Sequence, residues 1–462
     1  MKKIALIFPR FRYPSGELPT GLATMAAYIR EEIADIDIIV IDTSFTPSWQ
    51  HVEAALARFK PDVTGIFMDV LLATNALKAA RLARDQGSLV IAGGPHATMA
   101  AADVIREECL DAVCVGEGEI TFKEYLEAFY GNKKFDGIAG LWYKEDGLIR
   151  RNPPRPLIAD IDALPSPAFD LFDIKGYMDN FFQLDSCRPD ARGISLTVSR
   201  GCPYDCTFCQ PTVRKTLGRK VRIRTPERVI ADIRYLQKTY GLNAFFFADD
   251  LIAVVPGWLE KFSRELIAQK IDIAWACNTR ADTLDYATMK QMKAAGLVKI
   301  KIGIESVTGR IRNGIYHKKI SRSDITRLID QANQLGIQVF GFFMLGAPTE
   351  TTGEVWRTIR FAARSGLAEA LFSVTTPFPG SALFDGLVAK GWTPPARLDD
   401  YDPNRVKRPP MSNHEISPAR LFLLKKIAYI YFYLHPVRLR ATLKLTRGER
   451  GLRKLWLKLK RI

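Results

Sequence analysis

Residues 199–211 read S-R-G-C-P-Y-D-C-T-F-C-Q-P, which places Cys202, Cys206 and Cys209 in a C-x3-C-x2-C arrangement. Three thiolates on so short a loop can converge on one metal centre, and iron–sulfur clusters are held by cysteine thiolates, usually four of them. A fourth cysteine is missing from this loop, so a cubane cluster bound here would keep one iron open to a small-molecule ligand. A zinc site is the alternative that the spacing leaves open.

The composition describes a globular chain for which we expect two or three domains. It has 462 residues, of which 47% are hydrophobic and 25% charged. Its seven cysteines, an odd number in a long chain, argue for a reducing compartment and against a secreted disulfide scaffold. The first residues, M-K-K-I-A-L-I-F-P-R, hold too short an apolar run for a signal peptide, and no stretch reaches the roughly 20 apolar residues that span a bilayer. We therefore expect a cytoplasmic protein.

Two regions alternate between short apolar strands and amphipathic helices. In the first, residues 1–150, the expected strands are Ile4–Phe8, Ile36–Ile41, Val63–Met68, Leu89–Ala92 and Ala112–Val115. This alternation predicts a doubly wound, Rossmann-like parallel sheet, which binds ligands beyond the carboxyl ends of its strands. Two glycine-containing turns, G-G-P-H-A-T from Gly93 and V-G-E-G-E from Val115, stand at those ends.

The second region, residues 191–390, carries six strand–helix units. Its expected strands are Ile194–Ser199, Ala244–Ala248, Ile273–Cys277, Lys299–Ile304, Val339–Leu345 and Ala370–Thr375. The pattern predicts a parallel, partly open barrel with its chemistry at the carboxyl ends of the strands, and the cysteine loop directly follows the first of them. Between the two regions, residues 151–190 begin with five prolines between 153 and 167 and predict an extended linker.

The cysteine spacing, with Phe208 just before the last cysteine, resembles the radical S-adenosylmethionine superfamily. The resemblance implies a (β/α)6 partial barrel, a 4Fe-4S cluster on Cys202, Cys206 and Cys209, and S-adenosylmethionine bound to the open iron. It also implies an external one-electron reductant and a 5′-deoxyadenosyl radical.

The same resemblance assigns contacts to S-adenosylmethionine at the strand ends. Asp249 or Asp250 would lie near its amino group, Arg280 near its carboxylate, and Glu305 near its ribose or amine. The apolar strand that ends at Gly346 would line the adenine. Capping and structural ion pairs are the alternatives for the charged residues. Cys277 is a candidate catalytic cysteine, against the alternative of a small buried residue.

The first region, with L-P-T-G-L-A-T-M-A-A-Y-I-R from Leu18 and the two glycine-containing turns, resembles the cobalamin-binding domain of cobalamin-dependent radical S-adenosylmethionine enzymes. The D-x-H-x-x-G motif of better-known cobalamin proteins is absent, so the lower-axial histidine that those proteins supply is not visible; many members of the radical family also lack it. The candidate cobalamin contacts are loop residues of the two turns: Gly93, Gly94, His96, Thr98, Gly116, Glu117 and Gly118.

The positive charge is concentrated at the end of the chain. Residues 418–462 hold thirteen Lys or Arg and one Glu, so they carry +12 of the net +16. This C-terminal basic region, residues 391–462, is expected to be helical. Basic residues interleave with leucines and Trp456 after Arg438, a pattern that suits the inner face of an anionic membrane. A structural cap over the barrel and a nucleic-acid contact are the alternatives.

Together these features predict a radical enzyme that binds cobalamin and methylates an unactivated carbon of a small-molecule, hydrophobic or lipid substrate. The first alternative is an oxidative cyclase or C–C bond-forming enzyme without methyl transfer. The second is an iron–sulfur sensor or nucleic-acid-binding protein, although no helix-turn-helix or other reader motif supports it. The sequence does not identify the substrate.

Overall fold

The computed structural model describes residues 1–209, 216–395, 398–401, 413, 415–436 and 438. Their contacts divide the chain into two compact units. The first unit comprises Met1–Asn180, Arg200–Cys202 and the described part of Pro211–Arg222, and the second comprises Phe181–Ser199, Pro203–Cys209 and the described residues from Ile223 onwards.

The first unit is built on one seven-stranded sheet. Its strands are β1 (Lys2–Phe8), β2 (Ile36–Asp42), β3 (Val63–Phe67), β4 (Leu89–Gly93), β5 (Ala112–Cys114), β6 (Leu141–Glu145) and β7 (Leu148–Arg151). The order is β2-β1-β3-β4-β5-β6-β7. The predicted parallel sheet is confirmed for β1–β5. The sequence reasoning missed β6 and β7, an antiparallel pair that extends the sheet at its edge.

Helices follow the parallel strands of this unit. They are α1 (Thr20–Glu32), α2 (Trp49–Phe59), α3 (Ala73–Asp85), α4 (Pro95–Met99), α5 (Ala101–Val104), α6 (Gly118–Tyr130) and α7 (Ile174–Asp179). In α2 the Ser48 side chain accepts a hydrogen bond from the His51 amide and so satisfies one of the unpaired donors of the first turn. Val52 and Leu56, four residues apart, form the buried face of that helix.

The segment after β7 differs from the extended linker that its prolines predict. It contains two 3-10 turns, Ile161–Ala163 and Phe169–Leu171, before α7. The side chains of Phe169 and Tyr177 are buried. The large apolar area that these rings remove from water outweighs the preference of the prolines for an extended surface path.

The second unit is built on a curled, six-stranded parallel sheet, as predicted. Its strands are β8 (Gly193–Leu196), β11 (Ala244–Phe247), β12 (Ala274–Thr279), β13 (Leu297–Glu305), β14 (Gln338–Leu345) and β15 (Glu369–Val374). The order β15-β14-β13-β12-β11-β8 is that of successive right-handed strand–helix units. The two-residue strands β9 (Ser199–Arg200) and β10 (Arg222–Ile223) lie outside this sheet.

Helices cover one face of the second sheet. The helices of this unit are α8 (Pro226–Tyr240), α9 (Trp258–Ala268), α10 (Tyr286–Ala294), α11 (Arg322–Gln334), α12 (Thr352–Arg364), α13 (Ala382–Val388) and α14 (Pro418–Tyr433). Of these, α13 instead packs with Tyr316 and Phe208 through Leu383 and Leu387. On the covered face, the rings of Phe247 and Trp275 both lie 5.5 Å from that of Phe262 in α9. No helix among the described residues is long and apolar enough to span a bilayer.

The opposite face of this sheet is covered at the amino ends of its strands, and near the carboxyl ends Met344 packs against a cluster that includes Leu383 and Leu387. At the amino ends Phe181 and Leu184 pack against Phe246, and Ser186 bonds to Gln338 and Glu369, the first residues of β14 and β15. Further along the strands, Phe342 and Met344 are partly exposed. These partly exposed side chains therefore lie toward the carboxyl ends, where parallel barrels carry their chemistry.

Candidate active site

The cysteine loop leaves β8 and β9 at the carboxyl end of the first barrel strand. Cys206 and Cys209 belong to the second unit, and the Cys209 amide donates to the Cys206 carbonyl oxygen at 3.2 Å. Cys202 belongs to the first unit, where its amide donates to the Gly218 carbonyl oxygen. All three cysteines are partly exposed.

Two cations surround Cys206. Burial raises the pKa of its thiol, and the positive charges of Lys318 and Arg280 oppose that rise. Cations close to a cysteine favour its thiolate, which is the form that binds iron. The residues of this loop therefore fit a thiolate-bound cluster, although among the described residues no group of three or more His, Cys, Asp or Glu could hold a single metal ion.

Arg280, predicted to meet the carboxylate of S-adenosylmethionine, lies next to this loop. Its guanidinium carbon stands 3.6 Å from the centre of the Tyr204 ring, between Cys202 and Cys206 in the sequence. The same group forms a bidentate ion pair with Asp282, at 3.0 and 2.9 Å, and donates to the Lys318 carbonyl oxygen. In the described contacts Arg280 thus fixes the cysteine loop, and its role toward a bound carboxylate stays a prediction.

Glu305 ends β13 and forms a buried ion pair with Lys318. The Lys318 ammonium donates to Glu305 Oε1 at 2.8 Å. Burial alone would lower the pKa of Lys318, but the Glu305 carboxylate raises it, so the pair is charged. Gly303 makes room for it, because a Cβ there would stand only 2.2 Å from Glu305 Oε1 and 2.4 Å from Lys318 Nζ.

The predicted contact Asp249 is buried at the carboxyl end of β11. Its Oδ1 accepts hydrogen bonds from the amides of Val198 and Ser199 and from the Ser199 hydroxyl. Its Oδ2 is buried without a hydrogen-bond partner among the described residues. Burial raises the pKa of Asp249 to about 7. A buried acceptor without a partner suits an ammonium or hydroxyl donor of a bound ligand. Asp250 is exposed.

The end of β14 is organised by a second buried carboxylate, Glu350. One of its oxygens accepts from the amides of Gly346 and Ala347, at 2.7 and 3.0 Å. The other oxygen is buried and finds no hydrogen-bond partner among the described residues. Burial raises the pKa of Glu350 to about 7. The predicted adenine-lining residue Gly346 is thus held in place by a carboxylate that the sequence reasoning missed.

Phe208 connects the cysteine loop to the segment after β13. Its ring packs edge-on against Tyr316 with 5.2 Å between centres, and the Lys318 ammonium lies 5.7 Å from the Phe208 ring centre. The Tyr316 hydroxyl is 2.6 Å from Thr375 Oγ1 at the end of β15. Phe208 therefore lies among the strand ends at which the contacts to S-adenosylmethionine are predicted.

Cys277 lies on the other side of the sheet. It alternates with Trp275 along β12 and so shares the face that the helices cover. It is fully buried, and burial raises the pKa of its thiol to about 12. The described contacts are those of a small core residue, and its catalytic role stays a prediction without support from them.

The candidate cobalamin residues of the first unit share one edge of its sheet. Gly93 ends β4, and the His96 amide after it donates to the Met68 carbonyl oxygen at 2.9 Å. The Gly116 amide, beyond β5, donates to Thr98 Oγ1 at 3.1 Å and joins the two turns. Burial lowers the pKa of His96, which favours the neutral imidazole.

Three of the four glycines in these turns, Gly94, Gly116 and Gly118, have different structural roles. A Cβ at Gly94 would meet the Met68 carbonyl oxygen at 3.0 Å, and one at Gly118 would meet Met25 Cε at 2.5 Å, so both permit close packing within the protein. Gly116 has φ of +95°, and a Cβ there would meet nothing within 4 Å. The open space beside Gly116, at the carboxyl edge of a doubly wound sheet, fits a bound ligand.

Glu117, also predicted to contact cobalamin, is the centre of a buried ion-pair network in the first unit. Its carboxylate accepts from Arg200 and from Arg222, both at 2.8 Å, and from the Ile158 amide at 2.7 Å. Although burial opposes the charge, the two arginines keep the pKa of Glu117 below its usual value. Its carboxylate is thus engaged within the protein, and its contact with cobalamin stays a prediction.

Sequence reasoning missed Lys318, Glu350, Tyr316 and Arg222. Lys318 stands in Y-H-K-K beside an exposed lysine, and no periodic pattern separates the two. Only the return of the chain from the end of β13 makes one of them the partner of Glu305. Glu350 lies in the T-E-T run after Gly346. The sequence does not show whether its carboxylate is buried against the Gly346 amide or exposed to solvent.

Comparison with known proteins identifies the class. The family model of the radical SAM superfamily matches residues 196–362, and that of the B12 binding domain matches residues 14–126. An uncharacterized methyltransferase of Pyrococcus horikoshii is 32% identical over 90% of this chain and 88% of its own length. The chain belongs to the cobalamin-dependent radical S-adenosylmethionine enzymes.

Further relatives carry out more than one reaction. Cytidylyl-2-hydroxyethylphosphonate methyltransferase of Streptomyces wedmorensis is 26% identical over 85% of this chain and 83% of its own. Anaerobic magnesium-protoporphyrin IX monomethyl ester cyclase of Rubrivivax gelatinosus is 24% identical over 83% of this chain and 70% of its own. The solved structure of the methyltransferase TsrM from Kitasatospora setae, with cobalamin and a 4Fe-4S cluster bound, shares the fold. It aligns with a TM-score of 0.71 over 91% of this chain and 80% of its own chain, at 17% sequence identity.

The chain is thus a radical S-adenosylmethionine enzyme of the methyltransferase-like kind, with a 4Fe-4S cluster, S-adenosylmethionine and cobalamin as its cofactors. The cysteine loop would hold the cluster, the strand ends around Asp249 and Glu305 would hold S-adenosylmethionine, and the turns at Gly94 and Gly116 would hold cobalamin. These residue assignments remain proposals.

Proposed function

We propose that this enzyme methylates an unactivated carbon of a small-molecule substrate whose reacting part is hydrophobic. When bound, the cluster and S-adenosylmethionine supply hydrogen abstraction and cobalamin supplies the methyl group. The protein supplies the surface on which the substrate is oriented. The observation that carries the proposal is the carboxyl half of the sheet face opposite the helices, because its partly exposed side chains on β14 are apolar and lie beside the candidate contacts to S-adenosylmethionine.

That surface combines apolar side chains with a buried cation, Lys301, whose ammonium donates to Gln183 Oε1. Phe340 and Phe342, whose rings are 4.9 Å apart, and Met344 alternate along β14 toward its carboxyl end. The Lys301 ammonium, on the adjacent strand, lies 3.9 Å from the Phe246 ring centre and 5.4 Å from that of Phe340. Such a surface favours a substrate with an apolar or aromatic body and an anionic or polar end. A lipid meets this description, as does a flat heterocyclic acid.

Relatives support methyl transfer without deciding it. The names of two of the relatives compared above contain methyltransferase, but a third is a cyclase. A cyclase would use the same cluster loop and strand ends, so the two reactions differ in their products rather than in the described residues.

The test is product analysis of reconstituted enzyme given a one-electron reductant, methyl-labelled S-adenosylmethionine and a small-molecule extract. Methyl transfer predicts both 5′-deoxyadenosine and S-adenosylhomocysteine, with the label in an extracted compound. 5′-Deoxyadenosine without S-adenosylhomocysteine would contradict methyl transfer and favour the cyclase reaction. Neither product from protein with an intact cluster would favour a sensor.

A matched pair of variants tests the surface. We expect Phe342→Ala, on this sheet face, to weaken labelling of the substrate. Ile267→Ala is the control, because it removes an exposed apolar side chain from α9, outside this face, and 5′-deoxyadenosine release measured without extract reports whether either variant still cleaves S-adenosylmethionine. Equal labelling by Phe342→Ala and the wild type would remove this face from the substrate site.

Membrane contact through the basic C-terminal segment also remains a proposal. Residues 439–462 lie outside the described residues. Arg438, the first residue of that segment, is buried and donates to carbonyl oxygens at the end of α12. Arg438 itself is therefore engaged within the protein.

A further inference from the structure

Helix α14 has two apolar faces, and the described structure covers one of them. Its inner face packs on β15, where Tyr429 and Phe432 lie 5.3 and 6.2 Å from Phe372. Its outer face carries large apolar side chains at helical spacing: Leu423, Ile430, Tyr431 and Leu434 are 56%, 57%, 42% and 62% exposed. A helix that is apolar on all sides normally buries both faces in protein or in lipid.

Aromatic rings border this outer stripe on one side. Tyr431 meets Trp356 of the neighbouring helix α12 edge-on, with 6.5 Å between ring centres. Trp356 is partly exposed. Tyrosine and tryptophan are the residues that favour the boundary between an apolar phase and water.

Arginines follow on the exposed side of α12. Arg357, Arg360 and Arg364 recur at helical spacing and line, with Arg322 of α11, a groove of about 640 Å³. Arg357 lies 3.8 Å from Glu354, whereas Arg360 and Arg364 have no ion pair with any described residue. Asp330 is the acidic residue of the groove lining.

We propose that the outer stripe of α14 and the arginine row of α12 form a docking surface for an anionic phospholipid bilayer. Across this surface the leucine and isoleucine side chains would meet the acyl chains of a leaflet, the tyrosine and tryptophan rings its interface with water, and the arginines its phosphates. Phosphates of nucleic acid would complement the arginines but leave the leucine stripe in water. A second copy related by a twofold axis would place two arginine rows in one interface.

The experiment is flotation of the full chain with vesicles of phosphatidylcholine alone or of equal parts phosphatidylcholine and phosphatidylglycerol. We expect flotation with the anionic vesicles only, and its weakening by added salt. Replacing Arg357, Arg360 and Arg364 together by Gln should weaken partitioning about tenfold or more. Replacing Leu423, Ile430 and Leu434 together by Gln should weaken it as well.

Charge-matched and apolar controls make the result specific. The triple replacement of Arg58, Arg81 and Arg106 by Gln removes the same charge from exposed arginines of the first unit, and Ile267→Gln removes a 47% exposed apolar side chain from α9. Both should float like the wild type. A chain ending at Arg438, which retains the contacts of that residue, should still show the arginine dependence.

Three results would overturn the proposal. The first is wild-type protein that stays out of the anionic vesicles, and the second is a control triple variant that loses as much binding as the α12 variant. The third is a wild-type dimer, seen by light scattering, that the α14 variant converts to monomer, because it would assign the stripe to a second copy.

Discussion

Lys318 illustrates how a single buried charge depends on its partner. The Glu305 carboxylate is 5% exposed, and Lys318 is the cation that neutralises it. Removing one partner of such a pair leaves an uncompensated charge away from water, which costs more than the pair itself contributes. The same ammonium lies near Cys206 and Phe208, so its loss also changes the environment of the cysteine loop.

We expect Lys318→Met to lower the free energy of unfolding by about 3 kcal/mol, measured by urea titration of the cofactor-free protein. Combining it with Glu305→Gln should restore most of that loss. Lys319→Met is the control, because the neighbouring lysine is exposed. A Lys318→Met protein as stable as the Lys319→Met protein would show that the ion pair is absent in solution.

A second prediction at this scale concerns Gly116. Gly116 and Gly87 have φ of +95° and +85°, and a Cβ at either would meet nothing within 4 Å. Alanine therefore costs about 1 kcal/mol or slightly more in backbone strain at each position. We expect only Gly116→Ala to lose corrin absorbance after reconstitution with cobalamin. Equal cobalamin retention by the two variants would remove Gly116 from the proposed site.

At the scale of elements, the carboxyl end of α12 depends on a distant residue. Arg438 donates to the carbonyl oxygens of Ala363 and Ser365, both at 2.6 Å, and to that of Leu367 at 2.9 Å. The last carbonyls of a helix have no partner within it and carry partial negative charge. A buried guanidinium at this point satisfies several of them together.

We expect Arg438→Ala to destabilise the protein by about 2 kcal/mol, seen as a lower melting temperature. Arg420→Ala, at an exposed arginine of α14, should leave the melting temperature unchanged. A chain ending at residue 437 should match Arg438→Ala, whereas one ending at 438 should not. If Arg438→Ala and the chain ending at residue 437 both melted with the wild type, the cap would not be formed.

The carboxylate at the end of β14 gives a pH dependence of stability. Burial raises the pKa of Glu350 from its usual 4.5 to about 7, so the folded protein holds a proton that the unfolded chain has released. The contribution of Glu350 is therefore complete below about pH 4.5 and is lost as pH rises to about 7, by about 3 kcal/mol in total. We expect Glu350→Gln, followed by denaturation at several pH values, to flatten this fall. An unchanged pH profile would contradict the raised pKa.

For the whole molecule, the two family matches occupy separate stretches of chain, residues 14–126 and 196–362. Each stretch has its own sheet and its own hydrophobic core. Replacing Cys202, Cys206 and Cys209 by Ala should abolish the iron–sulfur absorbance and keep the corrin spectrum, while Gly116→Ala should do the reverse. Loss of both chromophores from either variant, with unchanged melting temperature, would show that the two cofactors load together.

The sequence allowed most of the architecture to be predicted because its strands are short, buried and apolar. Ile4–Phe8 and Ala244–Ala248 could be placed within about two residues of the observed β1 and β11 by their apolar runs and flanking turns. The hairpin β6–β7 was missed because L-W-Y-K-E and L-I-R-R mix exposed charges with apolar residues at an edge. The 3-10 turns and helix between Ile161 and Asp179 were hidden by the neighbouring prolines.

The sequence by itself predicted a cluster-binding cysteine loop and determined the two alternating α/β regions, since ligand spacing and hydrophobic period are local properties of the chain. Only the tertiary structure decided which charges meet: Lys318 with Glu305, Arg280 with Tyr204 and Asp282, and Glu117 with two arginines. It also decided that Cys277 faces the helices and that α14 leaves an apolar stripe exposed. Such pairings join residues far apart in the chain, and their energy depends on burial and distance, which no local pattern encodes.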